Sequence, residues 1–182
     1  MRASRLLLAL ALLAACFPAA AQQAERPNSV LLVARPELDD PNFVRTVLLV
    51  TQRKDGSTLG VILNRPTDTV QQGRPVWFGG PVLPESLIAL FEADQPPAAA
   101  AFHVMKDVYL TMHPKNIDAL LSQPKSRFRL YAGFAAWSPG QLEDELGRDA
   151  WYVLPADEAL LFRNDPDSLW RELVAKAAGP HV

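Results

Sequence analysis

The chain has little metal or thiol chemistry to offer. Cys16 is its only cysteine, so beyond that position there can be no disulfide, zinc thiolate or cysteine nucleophile. The three histidines lack His-x-x-x-His spacing; His103 and His113 fall on separate segments and His181 sits near the terminus. Glu37, Asp39 and Asp40 are acidic, but no EF-hand spacing follows them, and a turn accounts for them. There is no Walker loop and no Gly-x-Gly-x-x-Gly, and Gly79-Gly80 alone does not imply a nucleotide. These absences predict no metal and no cofactor. No apolar run reaches the ~20 residues of a membrane-spanning helix. Excess positive charge is missing too: 18 Lys+Arg face 20 Asp+Glu, and the isoelectric point of about 5.9 does not suit a nucleic-acid binder. The one basic cluster with an aromatic, Lys125-Ser-Arg-Phe-Arg129, reads as a solvated strand face.

What is present begins with a leader. Arg2 and Arg5 precede an uninterrupted apolar run from Leu6 to Ala15, the pattern of an export signal. Two cleavage readings are open. Leu13-Ala-Ala-Cys16 resembles a lipobox, which would leave a lipidated Cys16 after a signal of residues 1–15. Ala19-Ala-Ala21 suits ordinary cleavage after residue 21. The lone cysteine stands where a lipobox requires it, which favours a periplasm-facing lipoprotein over a soluble periplasmic form. Either cut removes Arg2 and Arg5, leaving 16 Lys+Arg against 20 Asp+Glu, a net charge of −4. Membrane contact is then expected only through the lipid on Cys16. Partners would be an envelope protein or a small ligand, and an exported chain would not meet nucleic acid. Residues 16–28 read as a flexible tether and 29–182 as one domain.

Sixteen prolines favour a turn-rich domain over long helices. Apolar runs predict strands at Ser29–Ala34, Phe43–Thr51, Thr58–Asn64, Pro75–Phe78, Ser86–Phe91, Phe102–Met105, Val108–Thr111 and Trp151–Leu154. Arg127–Tyr131 alternates charge with apolar side chains and predicts a strand with one wet face. Helices are expected at Pro114–Leu121 and from Asp165-Pro166 onward, with a helical turn at Asp157–Phe162. The expected fold is α+β: mostly antiparallel strands curled into a barrel-like sheet, with about three helices packed outside.

The most informative stretch is Tyr131-Ala-Gly-Phe-Ala-Ala-Trp-Ser-Pro-Gly-Gln-Leu-Glu-Asp-Glu-Leu146. It predicts a buried strand, a sharp turn and a helix. Ser138 is placed as the N-cap, Pro139 at the first helical position, and Gln141 at the reach-back position of a capping box. Trp137 and Leu142 have staple spacing, and Gly147 is the expected stop. Ala136-Trp-Ser-Pro-Gly140 also looks like a relaxed nucleophile elbow. That reading fails because the residue after the serine must donate a backbone N–H to an oxyanion, and Pro139 has none.

This stretch resembles the signature of the AlgH/YqgE family of bacterial proteins, with Ala136 and Ser138 where relatives usually carry glycine. Leu31-Leu-Val-Ala-Arg-Pro36, Asp40-Pro-Asn-Phe-Val-Arg-Thr46, Leu59-Gly-Val-Ile-Leu-Asn-Arg-Pro66, Phe78-Gly-Gly-Pro-Val82 and Asp107-Val-Tyr-Leu-Thr111 look like further family blocks in family order. Gln52-Arg53 departs from the acidic-histidine pair of many relatives. The resemblance implies no established chemistry. Its name links the family to regulation of alginate production, and some members have been proposed as transcriptional regulators.

Polar residues recur at strand ends: Asp40, Asn42, Arg45, Asn64, Arg65, Gln141 and Glu145. The expectation is that the Asn64-Arg65-Pro66 corner, the Gly79-Gly80-Pro81 loop and the Trp137-to-Gln141 turn converge on one binding pocket. The alternative is that Asn64 and Arg65 satisfy backbone carbonyls while the glycines merely permit turns. Three functions are therefore weighed. The first is a non-catalytic binding or regulatory module of the cell envelope. The second is a hydrolase using strand-end carboxylates such as Asp40 and Glu145. The third, a transcriptional regulator, requires the cytoplasm.

Overall fold

The apolar runs at β1 (Val30–Ala34), β2 (Val47–Gln52) and β3 (Thr58–Ile62) are buried along nearly their whole length. Continuous rather than alternating hydrophobicity marks strands covered on both faces. They pair antiparallel, with Leu31 opposite Leu49 and Leu48 opposite Ile62. Because successive side chains point to opposite faces, the strands feed two cores. Leu31, Val33, Leu49 and Val61 join one apolar cluster; Leu32, Leu48, Val50 and Ile62 join the other. This computed structural model describes residues 29–123 and 125–179. The predicted leader, Cys16 and the tether lie outside the described residues.

The sheet is organised around β9 (Phe128–Trp137), which changes neighbours half-way. Its first half runs between β6 (Val82–Glu92), antiparallel, and β5 (Arg74–Phe78), parallel. Its last residues pair instead with β3, Thr58 lying opposite Trp137. Gly133 at the junction has φ 69°, a left-handed backbone that glycine adopts freely. With β10 (Trp151–Pro155), β8 (Val108–Thr111) and β7 (Phe102–Met105), the order is β10-β1-β2-β3-β9-β6-β8-β7. The hairpin of β4 (Pro66–Gln71) with β5 lies off this path. The strands form a curled half-barrel, and the fold is α+β as expected.

Among the described residues four helices cover it: α1 (Pro114–Leu121), α2 (Gln141–Gly147), the single turn α3 (Glu158–Leu161) and α4 (Pro166–Ala178). Helix α4 buries Leu169 and Leu173 in the first core, and Trp170 Nε1 donates to Ala34 O at 2.7 Å. None of the described helices is long and apolar enough to cross a membrane.

Three expectations are corrected. The strand expected at Phe43–Thr51 starts only at Val47, because Phe43 and Val44 N–H both donate to Asp40 O and close a turn. Phe43 stacks on tryptophans instead. The β4 strand was missed because its side chains are mostly exposed and give no burial pattern. Finally, the predicted wet face of 127–131 is half dry: Arg129 is only 7% exposed.

Arg129 lies beside Tyr131, which is fully buried. Among the described residues, no hydrogen bond of normal geometry reaches the Tyr131 hydroxyl. Burial pushes its pKa up to about 12, against a weaker opposing pull from the Arg129 guanidinium. The fold thus favours the neutral phenol. Its contribution is full below the ordinary value of 10 and is lost as pH rises through about 12. A rise from 10.0 to about 12 corresponds to roughly 3 kcal/mol. We expect the urea-unfolding free energy of the native protein to fall over that window by this much more than that of Tyr131→Phe. Parallel pH profiles of the two proteins would refute the assignment.

Candidate functional site

The first candidate site is built where β9 ends. Gln141 N–H donates to Ser138 O at 3.0 Å, and Gly140 has φ 84° and ψ −18°. With Pro139 before it, this is a type II turn. Helix α2 therefore starts at Gln141, and Ser138 is not its N-cap. Only the reach-back half of the expected box forms: Ser138 N–H donates to Gln141 Oε1 at 3.2 Å, and Ser138 Oγ contacts the same oxygen. Pro-Gly decides the outcome, since glycine takes the left-handed position of the turn at little cost. The helix stop also moves. Asp149, at φ 58°, follows the helix, with Asp149 N–H to Leu146 O and Ala150 N–H to Glu145 O, the paired bonds of a Schellman motif. Gly147 is simply the last helical residue.

Glu145 is the hub of this region. Its Oε2 accepts from Trp137 Nε1 at 3.0 Å and from Trp151 Nε1 at 2.9 Å, while Gln141 Nε2 reaches Oε1 at 3.4 Å. One carboxylate thus fastens the end of β9, the start of β10 and the first turn of α2. Phe43 stacks on Trp137 at 6.0 Å between centroids and meets Trp151 edge-on at 5.7 Å. Beside them opens a cleft of about 460 Å³ lined by Asp40, Phe43, Pro81, Trp137, Gln141, Glu145 and Trp151, among others. Replacing Glu145 by alanine orphans two indole donors and should cost about 2–3 kcal/mol. Glu145→Gln, which keeps an acceptor oxygen, should lose less. Equal urea midpoints for the two variants would contradict this.

Gly79 and Gly80 do not line the cleft. They let the chain leave β5 in contact with β9, where Gly79 N–H donates to Ala132 O at 2.9 Å. A Cβ on Gly79 would lie 2.2 Å from Gly133 O, and one on Gly80 2.3 Å from Phe134 C. Their role is close approach, which delivers Pro81 to the cleft wall.

The Asn64-Arg65 corner goes elsewhere. Val47 N–H donates to Asn64 Oδ1 at 2.8 Å, and Asn64 Nδ2 donates to Arg45 O at 3.0 Å. Arg65 donates through Nη1 to Asn42 O at 2.7 Å and through Nη2 to Val44 O at 3.2 Å. Partial burial draws the Arg65 pKa below its ordinary value. These side chains staple the loop before β2. With Arg45 they line a second cleft, of about 630 Å³, together with Pro166, Trp170 and Arg171 of α4. The residues expected to meet in one pocket are thus divided between two clefts. Asp40, Pro81, Trp137, Gln141 and Glu145 share one; Arg45, Asn64 and Arg65 share the other. Asn42 contributes its carbonyl to Arg65 and its N–H to Asp40 Oδ1.

Sequence reasoning missed Phe43, Trp151, Trp170 and Arg171. Each looked like an ordinary strand or helix residue, and only their meeting in space gives them a role. Among the described residues, no group of three His, Cys, Asp or Glu is arranged to hold a metal.

The AlgH-like family profile matches residues 31–181. The chain belongs to the AlgH-like family. A UPF0301 protein of Streptomyces coelicolor is 37% identical over 82% of this chain and 86% of its own length. Another, of Azoarcus sp., is 32% identical over 75% and 81%. Among solved structures, AlgH of Pseudomonas aeruginosa superposes with a TM-score of 0.68 at 24% identity, covering 84% of this chain and 89% of that one. A Corynebacterium diphtheriae protein gives 0.64 at 25% identity, covering 85% and 88%. The biochemical function of the AlgH-like family is unknown, so the likeness carries fold and membership rather than a reaction.

Proposed function

We propose that this AlgH-like chain is a non-catalytic binding or regulatory module of the bacterial cell envelope, anchored through lipid on Cys16. Its ligand or partner segment lies in the aromatic cleft beside α2. The observation that carries the binding half is the double indole clamp on Glu145. It fixes two strand ends and a helix before any ligand arrives, so little ordering remains to oppose binding. The cleft sets the carboxylates of Asp40 and Glu145 and the guanidinium of Arg148 beside half-buried Phe43, a net lining charge of −1. That chemistry suits a neutral polar or cationic segment.

Asp40 and Glu145 line one cleft, as a hydrolase using both carboxylates would need. Their hydrogen bonds favour a structural role instead. Glu145 is committed to three donors, and Asp40 Oδ1 accepts from Asn42 N–H at 2.7 Å. The envelope half is supported by the basic, apolar and small-residue order of the leader and by the placing of Cys16.

The test is intact mass and fractionation after expression in a Gram-negative host. A membrane-bound form with diacylglycerol on Cys16 is the expected result. Cleavage after Ala21 would remove the anchor but keep the periplasmic module. An uncut cytoplasmic product would overturn the envelope assignment. For the cleft, tryptophan fluorescence should respond to neutral and cationic oligosaccharides or peptides. Asp40→Asn, which removes charge but keeps an acceptor, should weaken cationic ligands selectively.

A further inference from the structure

The second cleft is dominated by arginine. Arg45, Arg65 and Arg171 line it against one carboxylate, Asp167, giving the lining a formal charge of +2. Asp167 stands one helical turn before Arg171, yet neither Arg45 nor Arg171 has an ion-pair partner among the described residues. Several other arginines are paired with carboxylates: Arg35 with Asp149, Arg127 with Glu92, and Arg163 with Asp165 and Glu172; Arg129 and Arg148 donate to neutral acceptors instead.

Arg45 is also held in an uncommon conformation. Its φ of 54° lies in the left-handed region, which a residue with a side chain adopts only when its surroundings enforce it. The enforcement is visible: Asn64 bonds the Arg45 carbonyl, and Arg65 bonds the carbonyls of Asn42 and Val44. The result sets the Arg45 guanidinium 5.9 Å from the centroid of the Trp170 ring. Trp170 is itself fixed by its bond to Ala34 O. The cleft thus draws Val44 and Arg45 from the loop before β2 and Pro166, Trp170 and Arg171 from α4, so each element brings both a guanidinium and apolar surface.

We propose that this cleft binds a phosphate-bearing ligand whose apolar or ring body lies against Trp170. Guanidinium forks match the oxygens of a phosphate in paired hydrogen bonds, and a lining charge of +2 suits a dianion better than a single carboxylate. A volume of about 630 Å³ is too large for a bare ion and falls in the range of small-molecule sites. The phosphate could belong to a soluble monoester or to a lipid headgroup. The proposal does not rest on the aromatic cleft.

The experiment titrates the purified chain at low ionic strength with phenyl phosphate and with inorganic phosphate, by calorimetry and tryptophan fluorescence. A parallel assay sediments it with phosphatidylglycerol vesicles against phosphatidylcholine vesicles. Saturable binding of phenyl phosphate, tighter than inorganic phosphate, is expected. Arg45→Gln and Arg171→Gln should each weaken it about tenfold, the loss of one charge-assisted contact. Asp167→Asn should tighten it. Arg171 is exposed on α4, so Arg171→Gln keeps the test valid even if Arg45→Gln disturbs its loop. Vesicle binding with the same arginine dependence, but no phenyl phosphate binding, would uphold the site and assign the phosphate to a headgroup. The proposal is overturned if neither phosphate nor vesicles bind, or if binding is unchanged in both arginine variants.

Discussion

Arg129→Met is expected to destabilise the protein by about 3–5 kcal/mol, the cost of taking a charged donor away from several buried neutral acceptors. Arg129 is buried on β9, and its guanidinium donates to Leu63 O at 3.2 Å, Arg163 O at 2.5 Å and Asn164 Oδ1 at 3.2 Å. Its Cζ lies 4.0 Å from the Trp77 ring centroid. One side chain thus joins the end of β3, the loop after α3 and the aromatic core. Methionine preserves most of the apolar stem, so the loss reads out the three acceptors left without a donor and the lost ring contact. Lysine should not rescue it, because a compact ammonium cannot span three acceptors arranged around a planar fork. Typical domains have about 5–15 kcal/mol of stability in all, so either variant should show a large drop in urea midpoint. A loss under about 1 kcal/mol for Arg129→Met would show that the network is incidental.

Arg129 also shows where the sequence stops being legible. Alternation of charged and apolar residues ordinarily means one wet face, and Arg127 obeys, being exposed and paired with Glu92 at 2.6 Å. Two residues on, the same face turns inward, because β9 there runs between β5 and β6 and the loop after α3 closes over it. Nothing local announces that. The continuous runs of β1, β2 and β3 were readable because burial on both faces leaves its mark in every residue. Exposed β4 leaves none.

The site divides in the same way. Trp137, Gln141 and Glu145 lie within one strand-turn-helix segment, which local turn and helix signals marked as a unit. Pro139-Gly140 fits both a capped helix start and a type II turn, and only the backbone of Gly140 separates the two. Asn64 and Arg65 were visible as a corner, but not what the corner holds. The loop they staple faces both clefts: Asp40 and Phe43 on the aromatic side, Val44 and Arg45 on the cationic side. A shared wall between two sites has no signature in a one-dimensional pattern.

Gly80→Ala should be among the most damaging small substitutions in the chain. A Cβ there would lie 2.3 Å from Phe134 C, 2.4 Å from Phe134 O and 2.5 Å from Ala135 N. All three are backbone atoms of β9, so no side chain can swing aside. The φ of 150° adds a conformational penalty for any L side chain. Overpacking and backbone strain together amount to about 3–5 kcal/mol, a fall in melting temperature on the order of 10 °C. Gly140→Ala is the matched control. Its φ is 84°, yet nothing among the described residues lies within 4 Å of the added Cβ, leaving only the left-handed cost of about 1–2 kcal/mol. A Gly80 variant melting well below a Gly140 variant would locate the damage in the contact between the 79–80 loop and β9. If the two melt together, that contact yields without cost. The glycines would then serve turn geometry alone, and the path that brings Pro81 to the aromatic cleft would need another cause.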